Sequence, residues 1–269
     1  MLSRRDFLIH SAALAAAGTL APLAMADTLD DVRKRGKIRV ALDPNVPPWS
    51  YKNDKLEWAG CEYEIARQLV KDLGVAMEII PTNGANRVPL LITNKADLVV
   101  AAMTITPERA KVIGFSHPYD GTTNTVAGPK ALQVKSLNDL VGKKVAVARG
   151  TISDTDLTAT APAGVEIVRF EDESTTMTSI LSGQIDLVAQ SSTLTDKINE
   201  RQPARQMETK VVLRTSLHGM GMRRGDDALK AWVDKWIATN TANGFINAAY
   251  KRAHGTDLPP ALVKAIAAA

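Results

Sequence analysis

Eight consecutive residues, Ala102-Met103-Thr104-Ile105-Thr106-Pro107-Glu108-Arg109, carry the most definite chemistry in the chain. An apolar run over Asp97–Met103 reads as a strand buried on both faces. A turn follows, and then a helix start, with Thr106 as N-cap and Pro107 at the first helical position. Thr104 offers a hydroxyl and a backbone N–H. The helix start adds unpaired N–H groups and a positive dipole end. Arg109 can form a two-pronged bond to a carboxylate. In open α/β folds ligands bind at the carboxyl ends of strands, where this octet would lie. All these groups suit one anionic group of a ligand. Taken alone, the octet reads better as a capped helix with an arginine in solvent.

Other chemical motifs are incomplete. Gly114-Phe115-Ser116-His117-Pro118 starts like a nucleophile elbow but ends in proline instead of glycine. Gly219-Met220-Gly221 starts like a dinucleotide fingerprint, but Arg224 stands where the third glycine belongs. His10, His117, His218 and His254 are not at metal-ligand spacing, and Cys61 is the single cysteine. An intrachain disulfide and a cysteine zinc site are therefore excluded. No metal and no cofactor are expected. Carboxylates are plentiful, but sequence does not show which of them face each other, so catalysis finds no support.

The elements that must position the octet alternate between strand and helix. Ile38–Leu42, Ala76–Ile80, Lys144–Ala148, Val165–Phe170 and Ile185–Ala189 read as strands. Glu62–Leu73, stopped by Gly74, reads as a helix, as do Asn86–Thr93, Asp154–Thr160 and Ser174–Leu181. This alternation predicts an α/β fold. Val88–Ala101 (VPLLITNKADLVVA) and Met177–Gln190 (MTSILSGQIDLVAQ) echo each other as helix, tight turn and strand, which suggests two similar lobes. Gly121–Gly128 and Thr215–Met222 are extended segments able to join them. Asp226–Thr239 reads as an amphipathic helix with Leu229, Trp232, Val233, Trp236 and Ile237 inward, and Phe245–Ala253 as a helix that closes the fold. Trp232 and Trp236 are expected as core anchors.

The 269 residues are 45% apolar and 23% charged, the balance of a globular protein with a real core. Aromatics are 4% and the net charge of +4 is well mixed along the chain. Nucleic acid is not an expected partner. The chain opens Ser3-Arg4-Arg5-Asp6-Phe7-Leu8, continues with an alanine-rich apolar stretch from Ala12 to Leu23, and reaches the small-x-small sequence Ala24-Met25-Ala26. This reads as a twin-arginine signal peptide over residues 1–26, cleaved near Ala26, and predicts a periplasmic protein. The apolar stretch is broken by Gly18 and Pro22 and is too short for a membrane anchor.

Five further segments widen the picture: Gly36–Asp43 (GKIRVALD), Pro47-Pro48-Trp49-Ser50-Tyr51, Ala59–Ala66 (AGCEYEIA), Gly114–Tyr119 (GFSHPY) and Leu137–Thr151 (LNDLVGKKVAVARGT). With the octet, Gly183–Val188 and Asn243–Gly255, they resemble bacterial periplasmic solute-binding proteins of the polar amino-acid type, the receptors of ABC importers. The resemblance spans essentially the whole chain after residue 26. It implies a two-lobed periplasmic-binding-protein clamp of type II, each lobe a mostly parallel sheet flanked by helices. Lobe 1 would comprise residues 27–120 and 221–269, lobe 2 residues 126–214, and the hinge segments residues 121–125 and 215–220. It also implies a small carboxylate ligand, an amino acid in most of the family, a permease in the inner membrane as partner, and a monomer.

The resemblance implies site residues as well. Arg109 would grip the ligand carboxylate with help from Thr104, and the carbonyl of Ala102 would meet the ligand ammonium. Gly150 and Thr151 would close on the carboxylate with backbone N–H groups and the hydroxyl. Asp43 would reach the ligand from the first lobe or serve as a turn residue before Pro44. Arg87 would reach a second carboxylate or face solvent at a helix start. The aspartate that pairs with the ligand ammonium in the family is replaced by Ser191. A buried ammonium without a counter-charge is costly, so either another acid substitutes or the ligand lacks an α-amino group. Gln190 would contact the ligand side chain. Gly84 replaces a stacking aromatic and implies a roomier or less apolar pocket. Cys61 is expected as a packing residue. A dehydratase-like enzyme on the same fold is the alternative, with Asp172 and Glu173 as its acids unless they only begin a helix.

Overall fold

The computed structural model describes residues 28–269, and the expected signal over residues 1–26 lies outside them. From the first described residue, helix α1 (Thr28–Arg35) buries Leu29 and Val32, and β1 (Lys37–Leu42) follows. A small antiparallel meander, β2 (Asn45–Val46), β3 (Ser50–Lys52) and β4 (Trp58–Ala59), leads into α2 (Cys61–Leu73). In α2 the spacing of Ile65, Ala66, Leu69 and Val70 puts all four against the core, and Gly74 ends the helix in the left-handed region. Then come β5 (Ala76–Pro81), α3 (Arg87–Ile92), β6 (Leu98–Val99), α4 (Pro107–Ala110) and β7 (Ile113–Phe115).

The chain next enters β8 (Asp120–Pro129) and continues through β9 (Lys144–Ala148), α5 (Ile152–Thr160), β10 (Glu166–Phe170), α6 (Glu173–Leu181), β11 (Leu187–Ser191) and α7 (Ser192–Arg201). It comes back along β12 (Met207–His218) to β13 (Gly221–Arg223) and closes with α8 (Asp227–Ala242), α9 (Phe245–His254) and α10 (Pro260–Ala267).

The strands form two five-stranded sheets of one design, β5-β1-β6-β13-β7 and β10-β9-β11-β8-β12. In each, the first three strands run parallel, the fourth runs antiparallel to both of its neighbours, and the fifth runs with the first three. This is the two-lobed clamp. β8 and β12 lie side by side from Asp120↔His218 to Met207↔Pro129, so the outgoing and returning passages of the chain brace each other. Buried Val40, Leu42, Leu98 and Met222 contribute to the core of the first lobe, and Val145, Val147, Leu157 and Leu187 to that of the second.

The main elements fall where periodicity placed them, with informative differences. The strand expected over Asp97–Met103 pairs only through Leu98 and Val99, because the chain turns out of the ladder at Ala102, whose φ is +43°. The helix at Pro107 is a single turn, so the expected dipole contribution is small there. Its cap does form, with Thr106 Oγ1 accepting from the Arg109 N–H at 3.2 Å. The meander, α1 and α7 have too few apolar positions to announce themselves, and α10, apolar along most of its length, has no polar face to mark a helical period. Trp236 is buried and donates to Asp72 at 2.7 Å, whereas Trp232 only half-enters the core. No described helix is long and apolar enough to cross a membrane.

Candidate functional site

One cavity lies between the lobes. The octet enters it from the first lobe. Arg109 is drawn inward by two carbonyls: Nη1 donates to Thr104 O at 2.9 Å and Nη2 to Gly150 O at 3.3 Å. The second of these bonds crosses the cleft. Burial pushes the Arg109 guanidinium down to about 10, and Arg87 and Arg214 push it further in the same direction. None of the ion pairs among the described residues involves Arg109. A half-buried guanidinium held only by neutral carbonyls is a cation that an incoming carboxylate would stabilise.

Ala102 and Thr104 line the same cavity. The Ala102 N–H donates to both Glu62 carboxylate oxygens at 2.7 Å, and Tyr119 donates its hydroxyl to Glu62 Oε1 at 2.5 Å. Thr104 bridges backbone to His218, whose Nδ1 lies 2.9 Å from Asp120 Oδ1. Glu62 and Asp120, beneath the cavity floor, and His218, which lines it, thus form a buried titratable cluster. Burial and the neighbouring Asp120 raise Glu62 to about 7, and burial lowers His218 to about 4.

Arg87 also reaches the wall, but it is paired. Its Nη2 contacts Asp43 Oδ2 at 3.2 Å, and both side chains are buried. The solvent-facing alternative for Arg87 is thereby corrected: the side chain is buried and turned to Asp43. Asp43 is not among the wall residues. It sits behind Arg87 and also accepts from the Asn45 N–H at 3.0 Å, which is the turn role considered for it. A second free arginine is therefore not on offer.

From the second lobe, Thr151, Gln190 and Ser191 line the cavity. Thr151 caps α5 by accepting from the Asp154 N–H, and its hydroxyl donates to Ala148 O at 2.8 Å. Gly150 departs from its expected part: its N–H donates to Asp154 Oδ2 at 3.0 Å, and its carbonyl faces Arg109. Ser191 Oγ lies 2.6 Å from Thr122 Oγ1 and 2.8 Å from Thr193 Oγ1. Gln190 is buried with neither amide atom hydrogen-bonded.

Gly84 widens nothing. A Cβ there would stand 2.7 Å from Arg149 O, and one at Gly150 2.7 Å from Ala85 Cα. These two glycines let the backbones of the lobes touch. Asn83 to Glu171 at 3.0 Å and Trp49 Nε1 to Thr193 Oγ1 at 3.3 Å cross the same boundary. The clamp is closed.

Several wall residues carried no sequence signal for a site. Trp49 and His218, Thr122 and Asn124 of β8, and Ser153 of α5 are all present. Only His218 sits at a strand end; Trp49 just precedes β3, Thr122 and Asn124 lie in the first half of β8, and Ser153 is in the first turn of α5. Glu173 is the instructive case. It does begin α6, yet its side chain also lines the cavity.

The geometry agrees with the comparisons to known proteins. The family model for bacterial extracellular solute-binding proteins, family 3, matches residues 38–256. The chain belongs to that family. The L-cystine-binding protein of Escherichia coli is 28% identical over 93% of this chain and 94% of its own length. Among solved structures, a cysteine-binding protein from Campylobacter jejuni superposes with a TM-score of 0.79 at 25% identity, covering 84% of this chain and 92% of that one. An ancestral amino acid-binding protein, described as a precursor of cyclohexadienyl dehydratase, superposes at 0.77 with 32% identity over 84% and 99%. Family and named relatives are binding proteins, and this family-3 chain is a solute-binding receptor of the ABC-transporter type.

Proposed function

We propose that this family-3 receptor takes an amino acid or a related small carboxylate between its lobes, with the carboxylate on Arg109 and Thr104. The observation that carries the reading is the Arg109 guanidinium, half-buried without a carboxylate partner and bonded to carbonyls of both lobes. A ligand carboxylate there would bind each lobe through one group and so favour the closed form. The relatives' ligands, cystine and cysteine, support an amino acid. We read residues 1–26 as the twin-arginine signal that delivers the receptor to the periplasm, where the closed form would dock on an inner-membrane permease.

The test is a thermal-shift and calorimetric screen of ligand-stripped protein with amino acids, their deaminated analogues and dicarboxylates. A solute at 100 times its Kd should add about 2.7 kcal/mol of stability. Arg109→Ala should abolish that shift at unchanged fold. A variant that binds as tightly as the native protein would remove Arg109 from the site.

A further inference from the structure

Two arginines line the cavity, but only one carboxylate does among the described residues, and that is Glu173. The Arg87 charge is already balanced by Asp43 at 3.2 Å. What remains is one unbalanced cation, Arg109 from the first lobe, and one unbalanced anion, Glu173 from the second. Glu173 is 7% exposed, and its Oε2 makes no hydrogen bond. The other nearby acids are occupied: Glu62 by Ala102 and Tyr119, Asp120 by His218, Asp154 by Arg169 and Gly150. Asp172, one residue earlier, caps α6 through the Thr175 N–H. A buried carboxylate oxygen without a hydrogen bond costs folding free energy. Burial and Asp43 accordingly push the Glu173 carboxyl up to about 7, against the pull of Arg87. A ligand cation would relieve that cost.

We infer that Glu173 receives the ammonium group of a zwitterionic α-amino acid whose carboxylate lies on Arg109. The cleft thereby selects amino acids over amine-free carboxylates. The inference rests on the Arg109 reading. It assigns the charge that Ser191 does not supply to the first turn of α6, a different element of the same lobe. Gln190, with both amide atoms unbonded, adds a donor and an acceptor for a polar group of the same solute.

The experiment measures affinities for the twenty standard L-amino acids and L-cystine. It then compares the tightest of them with its own α-hydroxy acid in native protein, Glu173→Gln and Arg109→Ala. Native protein should prefer the amine at least a hundredfold. Glu173→Gln should cut that preference at least tenfold while changing α-hydroxy acid affinity less than threefold. Oε2 loses no bond in this variant, so it should fold with an undiminished Tm. Should it not fold, Glu173→Asp keeps the charge but shortens its reach, and the same drop in amine preference is expected. An unchanged preference in the folded variant, or a native protein that binds only amine-free acids, overturns the inference. Arg109→Ala should lose both solutes alike. If it keeps both, the Arg109 reading itself fails; if it loses both while Glu173→Gln keeps the preference, only the Glu173 inference falls.

Discussion

The two segments that echo each other in sequence build the same unit and finish it differently. Val88–Ala101 gives α3, a turn and β6, and Met177–Gln190 gives α6, a turn and β11. Both turns need one left-handed residue, and Asn94 at φ +55° and Gly183 at φ +76° stand at the matching position. Each strand is third in its sheet, with Leu98 opposite Val40 and Leu187 opposite Val145. The next residues in the match, Ala102 and Ser191, both reach the cavity wall. Here the units part. β11 runs on to Ser191, which pairs with Asn124 of β8, and α7 starts at once. β6 stops at Val99, and Ala102 turns left-handed with its N–H held by Glu62. Equal local patterns thus end unequally because a carboxylate forty positions away captures one of them. The captured end bends the octet toward the cleft, while the free end supplies a flat polar wall.

That contrast can be broken most severely at Glu62. Glu62→Ala would leave the Ala102 N–H and the Tyr119 hydroxyl buried without their acceptor. Two lost bonds to a charged group should cost roughly 3 kcal/mol or more, measured by chemical denaturation. A loss below about 1 kcal/mol would mean that the left-handed turn holds itself.

A subtler cut at the same place is read through pH. Glu62 is raised to about 7 in the folded chain from an ordinary 4.5, so the native state keeps a proton that the unfolded chain releases. Its contribution to stability falls as pH rises from about 4.5 to 7. His218 is lowered to about 4 from 6.5, so the unfolded chain is protonated first, and stability is lost as pH falls from about 6.5 toward 4. The two slopes oppose each other in the native protein. Glu62→Gln should expose the histidine slope, and its stability should drop more steeply than the native protein's between pH 6.5 and 4.5. Parallel curves would mean that Glu62 does not titrate in this window.

The meeting of the two ends can be tested without touching either. Gly84→Ala would place a methyl 2.7 Å from Arg149 O and 2.9 Å from Thr151 Cγ2. Closure should suffer while each lobe keeps its fold. Solute affinity should fall roughly tenfold, or about 1.4 kcal/mol, with stability of the ligand-free protein nearly unchanged. The smallest effect is expected at Ala102 and Ser191 themselves. Ala102→Gly should relieve a strained φ at the cost of added unfolded-state freedom and change stability by about 1 kcal/mol or less. Ser191→Ala loses hydroxyl contacts to Thr122 and Thr193, worth roughly 1 kcal/mol. A much larger loss at Ser191 than at Ala102 would reverse the view of which end is held in place.

Most elements were legible because their signals are local. Four apolar positions at helical spacing mark α2, and an Asp-Leu-Val start marks both third strands. Short polar elements escaped. The site was legible in part. Arg109, Thr104, Ala102, Gln190, Ser191, Thr151 and Arg87 gather around one cavity from both lobes, because strand ends in this fold converge on the cleft. Asp43 and Gly150 were misjudged in detail, because sequence does not show which hydrogen bonds a group already spends inside its own lobe.

By itself the sequence determined the alternation of strand and helix, the repeated unit, the capped turn before Arg109 and the absence of a thiol or histidine metal pattern. Each depends on residues a few positions apart. Tertiary structure alone decided the balance of charge in the cleft. It set Asp43 against Arg87, took Glu62 and Asp120 below the floor, and left Glu173 lining the cavity with its Oε2 unbonded. Electrostatic pairing depends on distance and burial in space, and residues 44 or 98 positions apart in the chain carry no local mark of either.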